Sequence, residues 1–433
     1  MKRLWRLASL TIATALTASA FGASPAAAAG ELDPAFSSDG KVFTDFFGAM
    51  YDDLHDVAVA PDGKIIAVGS WGGADSHSCP AAATHCNFAI VRYHPNGSID
   101  TSFGSNGRVM TDFDGDDDVA WGVALQPDGK IVVAGSALVG TNAPDFALAR
   151  YLADGSLDRT FAGDGKLTTA LGETERAMDV LIQPNGSIVA VGFTDTFGTE
   201  DFALARYFPN GTLDPSFSGD GIQTTGLGHD DRATAAALQR DGKIIVVGTR
   251  WEDDDSCFAC KETDLALARY RSDGSLDPTL DGDGKMTEGH GGDEGLEAVT
   301  AMRDGRFVVA GYSSGDFYAA RYLPNADRDE SFALQGRKWV NFGANAGAFG
   351  VATGSDGKVV LTGSAGGDLA AARVTTSGAN DLTFSGDGMV RTDFGGSEQG
   401  DAMVLQRDGK ILVAGYRKRT NDDTDFVLAR YLP

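Results

Sequence analysis

Seven near-copies of one phrase run along this chain, and they constrain its fold more than any other feature. DFALARY stands at residues 145–151 and again, unchanged, at 201–207. Looser versions are NFAIVRY (87–93), DLALARY (264–270), DFYAARY (316–322), DLAAARV (368–374) and DFVLARY (425–431). A second phrase, L-D-x-x-F, starts each unit near 32, 99, 157, 213, 276, 328 and 380. The units are 52 to 67 residues long and tile 30–433 without a gap, which predicts one repeat-built domain.

Each unit spells four strands. In the second, WGVALQPDGKIVVAGSA is two apolar runs joined by a Pro-Asp-Gly-Lys turn, a hairpin signal. DFALARYLADGS is a third strand with its own turn, and LDRTFAGDGKLTTAL leads into a fourth. The runs are apolar on both faces, as strands covered on both sides are. The chain starts with a fourth strand that lacks its other three and ends with a third strand that lacks its fourth. Joining the two closes a ring. The predicted fold is all-β: a seven-bladed β-propeller with four antiparallel strands per blade, the N-terminal outer strand completing the C-terminal blade.

The combination L-D-x-x-F, D-G-K-x-x-x-x-G and D-F-x-L-A-R-Y resembles the delta-60 repeat family of secreted bacterial β-propeller proteins, over essentially all of 32–433. That resemblance implies a propeller and an extracellular setting. It brings no catalytic residue with it. The Trp-Asp dipeptide of WD40 blades is absent from the corresponding positions.

Residues 1–29 read as a secretory signal peptide: MKRLWR is basic, LASLTIATALTASAF is apolar, and ASPAAAAG offers cleavage near Ala29. A secreted, extracellular protein is expected, with no membrane insertion, because no second long apolar run follows. The chain has 36 Lys+Arg against 61 Asp+Glu, a net of −25. Losing Lys2, Arg3 and Arg6 with the leader brings that to −28. Such a surface repels nucleic acid and anionic lipid. The expected partner is a protein or glycan ligand, and the expected state is a monomer. Cys79 with Cys86, and Cys257 with Cys260, are expected to close as local disulfides in two long loops.

Positions that repeat are explained by the blade; positions that vary are free for other work. Arg92, Arg150, Arg206, Arg269, Arg321, Arg373 and Arg430 repeat near the end of the third strand. They are expected to pair with the turn carboxylates Asp62, Asp128, Asp241, Asp304, Asp356 and Asp408, or with turn carbonyls. L-D-x-x-F reads as a capped helical turn whose Leu and Phe pin it to the blade. Asp52, Asp118, Glu175, Asp231, Glu294 and Glu398 recur, with Ala346 breaking the series, and are expected to ring one channel mouth. Local capping of backbone N–H groups and cation binding are the two roles open to them. Asp112, Asp114, Asp116 and Asp118, two apart in DFDGDDD, match half of a calcium loop, and Ca²⁺ is the cofactor the sequence suggests. Val123 stands where an EF-hand needs Glu, which excludes that motif.

The copies disagree most at His55, Trp121, Met178, Thr234, Glu297, Phe349 and Asp401, three residues after the recurrent acid. These are the candidate ligand-binding rim. No catalytic residue is assigned. GYSSG (311–315) matches G-x-S-x-G but continues a strand into a loop, which is the wrong context for a nucleophile elbow. The sequence favours a non-enzymatic binding or scaffold protein whose ligand sits on the long-loop, acidic face. Its alternatives are a polysaccharide hydrolase or lyase using Glu297, Asp401 and His55, and a purely structural surface protein.

Overall fold

A computed structural model of the chain describes residues 28–46, 52–72, 86–113, 117–140, 143–196, 198–253, 261–289, 291–420 and 423–433. The signal-peptide segment, Cys79, Cys257, Cys260, Asp114 and Asp116 lie outside them. Seven four-stranded antiparallel sheets follow one another along the chain. Blade two runs Asp118–Leu125, Ile131–Ala137, Asp145–Tyr151 and Lys166–Thr169, from the channel outward. The other blades repeat this order. In blade seven the outer strand is Lys41–Thr44, paired with Asp423–Tyr431 in the register Lys41↔Ala429 to Thr44↔Phe426. The ring is therefore closed by hydrogen bonds between the two ends of the described chain, as the offset repeat requires.

The second and third strands carry the core. Val132 and Ala134 of blade two pack against Phe146 and Leu148 on one face, and Val133 packs with Ala147 and Ala149 on the other, all fully buried. Each interface between blades is a separate apolar cluster of this kind. In blades one, two, three and seven the third-strand Tyr adds a polar pin, because its hydroxyl bonds a Thr on the outer strand of the preceding blade. Examples are Tyr151 to Thr111 at 2.7 Å and Tyr431 to Thr392 at 2.7 Å. A buried phenol needs such a partner.

On the turn face, the recurrent Arg donates to turn carbonyls, as one of the two expectations has it, but its carboxylate partner is not the turn Asp. Nε or Nη2 of Arg92, Arg150, Arg206, Arg269, Arg321, Arg373 and Arg430 lies 2.7–2.9 Å from the Asp of L-D-x-x-F: Asp100, Asp158, Asp214, Asp277, Asp329, Asp381 and Asp33. The turn carboxylates Asp62, Asp128 and Asp241 reach that Asp only through Lys64, Lys130 and Lys243. The Arg also donates to a carbonyl of the following blade, for example Arg269 Nη1 to Pro324 O at 3.0 Å and Arg321 Nη1 to Thr376 O at 2.7 Å. Its guanidinium lies over the phrase's own Phe, as Arg92 does over Phe103 at 4.5 Å. L-D-x-x-F is thus a capped turn, with Ala35 N on Asp33 Oδ1 at 2.9 Å, and also the acidic half of a buried clasp. In Arg92 and Arg150 all three guanidinium nitrogens donate to an acceptor of the clasp, which is how a buried Arg is tolerated.

Candidate functional site

The site begins with an irregularity in the innermost strands. Each pairs with its neighbour in regular register until one residue is skipped: between Leu54 and Asp56, Ala120 and Gly122, Ala177 and Asp179, and Ala233 and Ala235. The same skip occurs between Leu296 and Ala298, Ala348 and Gly350, and Gly400 and Ala402. The extra residue of a β-bulge is unpaired and re-aimed. The seven extra residues are His55, Trp121, Met178, Thr234, Glu297, Phe349 and Asp401, the varied set of the sequence. All seven line one funnel of about 350 Å³ on the long-loop side, and all seven line the channel of about 260 Å³ beneath it. They form the waist between the two.

The bulge has a sequence signature outside the inner strand. The second strand carries a Gly opposite it in every blade, such as Gly69 facing Leu54 and Gly192 facing Ala177. A Cβ on Gly69 would collide with the carbonyl of Asp53, and one on Gly192 with that of Arg176. The Gly that ends D-G-K-x-x-x-x-G is required because the bulge pushes a carbonyl into its space.

The funnel walls differ in charge. On blades three and four, Arg232 forms a bidentate ion pair with Glu200 and stacks over Phe193 and Trp251, 5.2 and 4.8 Å from their centroids. Arg176 lies beside it, its pKa lowered first by burial and then by the charge of Arg232. On blade seven, Tyr416 donates to Gln399 at 3.2 Å, and Gln399 donates to Asp401 Oδ1 at 2.8 Å. Asp401 Oδ2 has no hydrogen-bond partner among the described residues, and neither has Trp121 Nε1. Trp121 stacks on His55 with centroids 4.1 Å apart. Thr234 is tied down, its hydroxyl donating to Leu296 O at 2.6 Å.

Four carboxyl groups surround the channel. Glu297 is pushed up to about 8, first by burial and then by the Asp401 carboxylate. Asp401 is raised to about 7 by burial, against the Gln399 hydrogen bond and with help from Asp53. Burial raises Asp56 to about 8, with Asp179 adding to it, and raises Asp179 to about 6. Each is largely buried and lines the channel, so protein surrounds most of the charge. Asp56 and Asp179 spend both oxygens on backbone N–H groups, for example Val57 at 2.7 Å and Val123 at 2.8 Å on Asp56. Asp401 and Glu297 are the pair left to face a ligand.

The recurrent acids do not line the funnel or the channel. Asp52, Asp118, Glu175, Asp231, Glu294 and Glu398 are buried where one blade hands over to the next. Asp52 accepts Phe46 N at 2.7 Å, Asp118 accepts Phe113 N at 2.7 Å, and Asp231 accepts Leu227 N at 2.5 Å. Burial lifts Asp118 to about 7 and Asp231 to about 6. Of the DFDGDDD run, Asp118 is therefore occupied as a cap, and the carbonyl of Asp112 accepts Lys166 Nζ at 2.6 Å. In GYSSG, Ser313 is buried beneath Glu294, its hydroxyl 3.4 Å from Oε1. Cys86 is buried at the start of the third strand of blade one.

Six segments of the chain, 87–103, 126–161, 183–217, 239–280, 303–332 and 406–433, match the family described as a domain of unknown function (DUF5122) beta-propeller. They span under half of the chain and support a β-propeller repeat family. No curated protein matches the chain. Among solved structures, a catalytically inactive variant of virginiamycin B lyase from Staphylococcus aureus with quinupristin is 11% identical, covering 90% of this chain and 98% of that one at a TM-score of 0.49. A protein of unknown function from Dyadobacter fermentans is 11% identical, with 91% and 98% covered at 0.48. YCF48 bound to D1 peptide is 13% identical, with 94% and 98% covered at 0.47. No function is carried over from them, since unrelated functions share this fold.

Proposed function

We propose that this is an exported, monomeric β-propeller of the delta-60 repeat type that binds a glycan or glycan-bearing polymer in its central funnel. One observation carries the reading. The only positions at which seven otherwise matching inner strands all differ are the bulge residues, and all seven converge on one cavity. Blade-building has no need of that variety. Trp121, Phe349, Trp251 and Tyr312 supply flat apolar faces of the kind sugar rings stack on, and Asp401, Gln399 and Arg176 supply polar groups to fix orientation. The strand ends that flank the long loops lie on the same side, and the basic-then-apolar leader supports export. Local disulfides within Cys79–Cys86 and Cys257–Cys260 suit that setting.

Calorimetric titration of the leaderless protein against acidic, neutral and amino-sugar oligosaccharides tests it. A ligand whose affinity falls at least tenfold in both Trp121→Ala and Asp401→Asn is expected. Binding that neither substitution alters would place the ligand elsewhere. A second reading, hydrolysis or elimination on a polysaccharide, is favoured by one feature: burial first, and the Asp401 carboxylate second, push Glu297 up to about 8. A protonated acid beside a more ionised one is an acid–base arrangement. Chromatography of the same titration mixtures for shortened products separates the two readings.

A further inference from the structure

The junction between blades six and seven differs from four of the others. One oxygen each of Asp368, Asp393 and Glu398 lies within 4.8 Å of the other two. Asp368 starts the third strand of blade six, Asp393 follows that blade's outer strand, and Glu398 lies in the first strand of blade seven. At four other junctions the acid equivalent to Glu398 accepts a hydrogen bond from a loop N–H: Asp52 from Phe46, Asp118 from Phe113, Glu175 from Leu171 and Asp231 from Leu227. Glu398 is only 3% exposed, yet neither of its oxygens has a formed hydrogen bond. The Phe394 and Gly396 amides lie near enough to favour its charge, but burial and the carboxylates of Asp393 and Asp368 outweigh them and raise its pKa. A buried acceptor without a partner is costly and asks for a cation or a proton.

Nearby basic groups compensate the cluster only in part. Lys41 Nζ donates to the carbonyl of Asp393 at 2.5 Å, which leaves the carboxylate free of it. Arg391 Nε stands 3.7 Å from Asp368 on a half-exposed side chain. Asp393 Oδ1 accepts Gly395 N at 2.5 Å, and its other oxygen remains.

We propose that Asp368, Asp393 and Glu398 form a Ca²⁺ site that pins blade six to blade seven. Oxygens up to 4.8 Å apart suit one ion with bonds of about 2.4 Å, two oxygens on opposite sides being twice that distance apart. The donors are all hard carboxylates, which selects Ca²⁺ or Mg²⁺ over thiophilic metals. Ca²⁺ is favoured because Mg²⁺ demands near-ideal octahedral geometry and sheds its water reluctantly. Exposed Asp393 leaves one side for water. The site is independent of the funnel and of DFDGDDD, and it clamps the blade on which ring closure depends.

The test is calorimetric titration of Ca²⁺ into leaderless protein freed of metal with EDTA, with unfolding midpoints measured alongside. Saturable binding and a rising midpoint are expected, with Mg²⁺ at least tenfold weaker. Asp393→Asn, at an exposed position that folding does not need, lowers Ca²⁺ affinity at least tenfold. Glu398→Gln does the same, while in EDTA it melts no lower than the parent, since it removes a buried charge. Asp114→Asn with Asp116→Asn leaves the binding intact. The proposal is overturned by an absence of Ca²⁺ binding, by Mg²⁺ binding as tightly, by affinity unchanged in Asp393→Asn, or by loss confined to the Asp114/Asp116 variant.

Discussion

On the turn face, Arg150 and Arg373 sit in the same clasp, 223 residues apart in sequence, each against the Asp eight residues further on. In the channel, Trp121 and Phe349 also occupy equivalent places, but they share only a backbone bulge. One end of the blade repeats side chains; the other repeats a shape and changes the side chain. Groups that hold blades together must satisfy the same buried partners seven times. Groups at the waist face a shared cavity, where nothing in the blade dictates what they are.

Breaking the clasp should have the largest effect. Arg269 is fully buried against Asp277. Arg269→Ala should cost about 3 kcal/mol, measured by urea unfolding, because Asp277 is left buried with the half-exposed Lys243 as its cation and Thr279 as its other partner. Next comes the bulge itself. Gly192→Ala forces the Arg176 carbonyl aside and should cost roughly 1–3 kcal/mol, again by urea unfolding.

The two regions should also respond to pH with opposite sign. Asp329 is held down at about 2: burial opposes its charge, but the Ser331 hydroxyl, Arg306 and Arg321 overcome that. Its folded value is below its unfolded one, so its contribution is present above about pH 4 and is lost as pH falls through 2. Glu297 is raised from 4.5 to about 8, so its contribution is present below 4.5 and is lost as pH rises through 8. Unfolding midpoints from pH 2 to 9 should therefore fall at both ends. Glu297→Gln should lessen the alkaline fall alone, and a fall unchanged in that variant would remove the acid from the account. The smallest effect is expected at Asp62, whose carboxylate is exposed and 3.7 Å from Lys64. Asp62→Asn should stay within about 0.5 kcal/mol of the parent by the same unfolding measurement.

The fold was legible because seven copies fix the strand count and the offset ends fix the closure. The acidic partner in the clasp was misread on grounds of face alone. Turn carboxylates do lie on the Arg side, but the constant spacing of eight residues between Arg92 and Asp100, or Arg150 and Asp158, was the better signal. The position of Asp52 and its equivalents in the blade links suits a ring at a mouth as well as a buried cap, and the alternation of a regular strand does not tell the two apart. Three residues later the bulge resets that alternation, sending His55 to the channel and leaving Asp52 beneath the blade link. The second-strand Gly announced the bulge, but its meaning depends on a carbonyl that sequence does not display. Nothing in the spacing of Asp368, Asp393 and Glu398 marks them as neighbours, since three different segments bring them together.

The comparison rests on separable roles, and one paired measurement tests it. A single variant carrying His55→Ala, Trp121→Ala and Asp401→Asn is compared with the parent for unfolding midpoint and for binding in the oligosaccharide screen. The account predicts a folded, all-β protein with a midpoint within a few degrees of the parent and ligand binding weakened more than tenfold. Unchanged binding, or a variant as destabilised as Arg269→Ala, would contradict it.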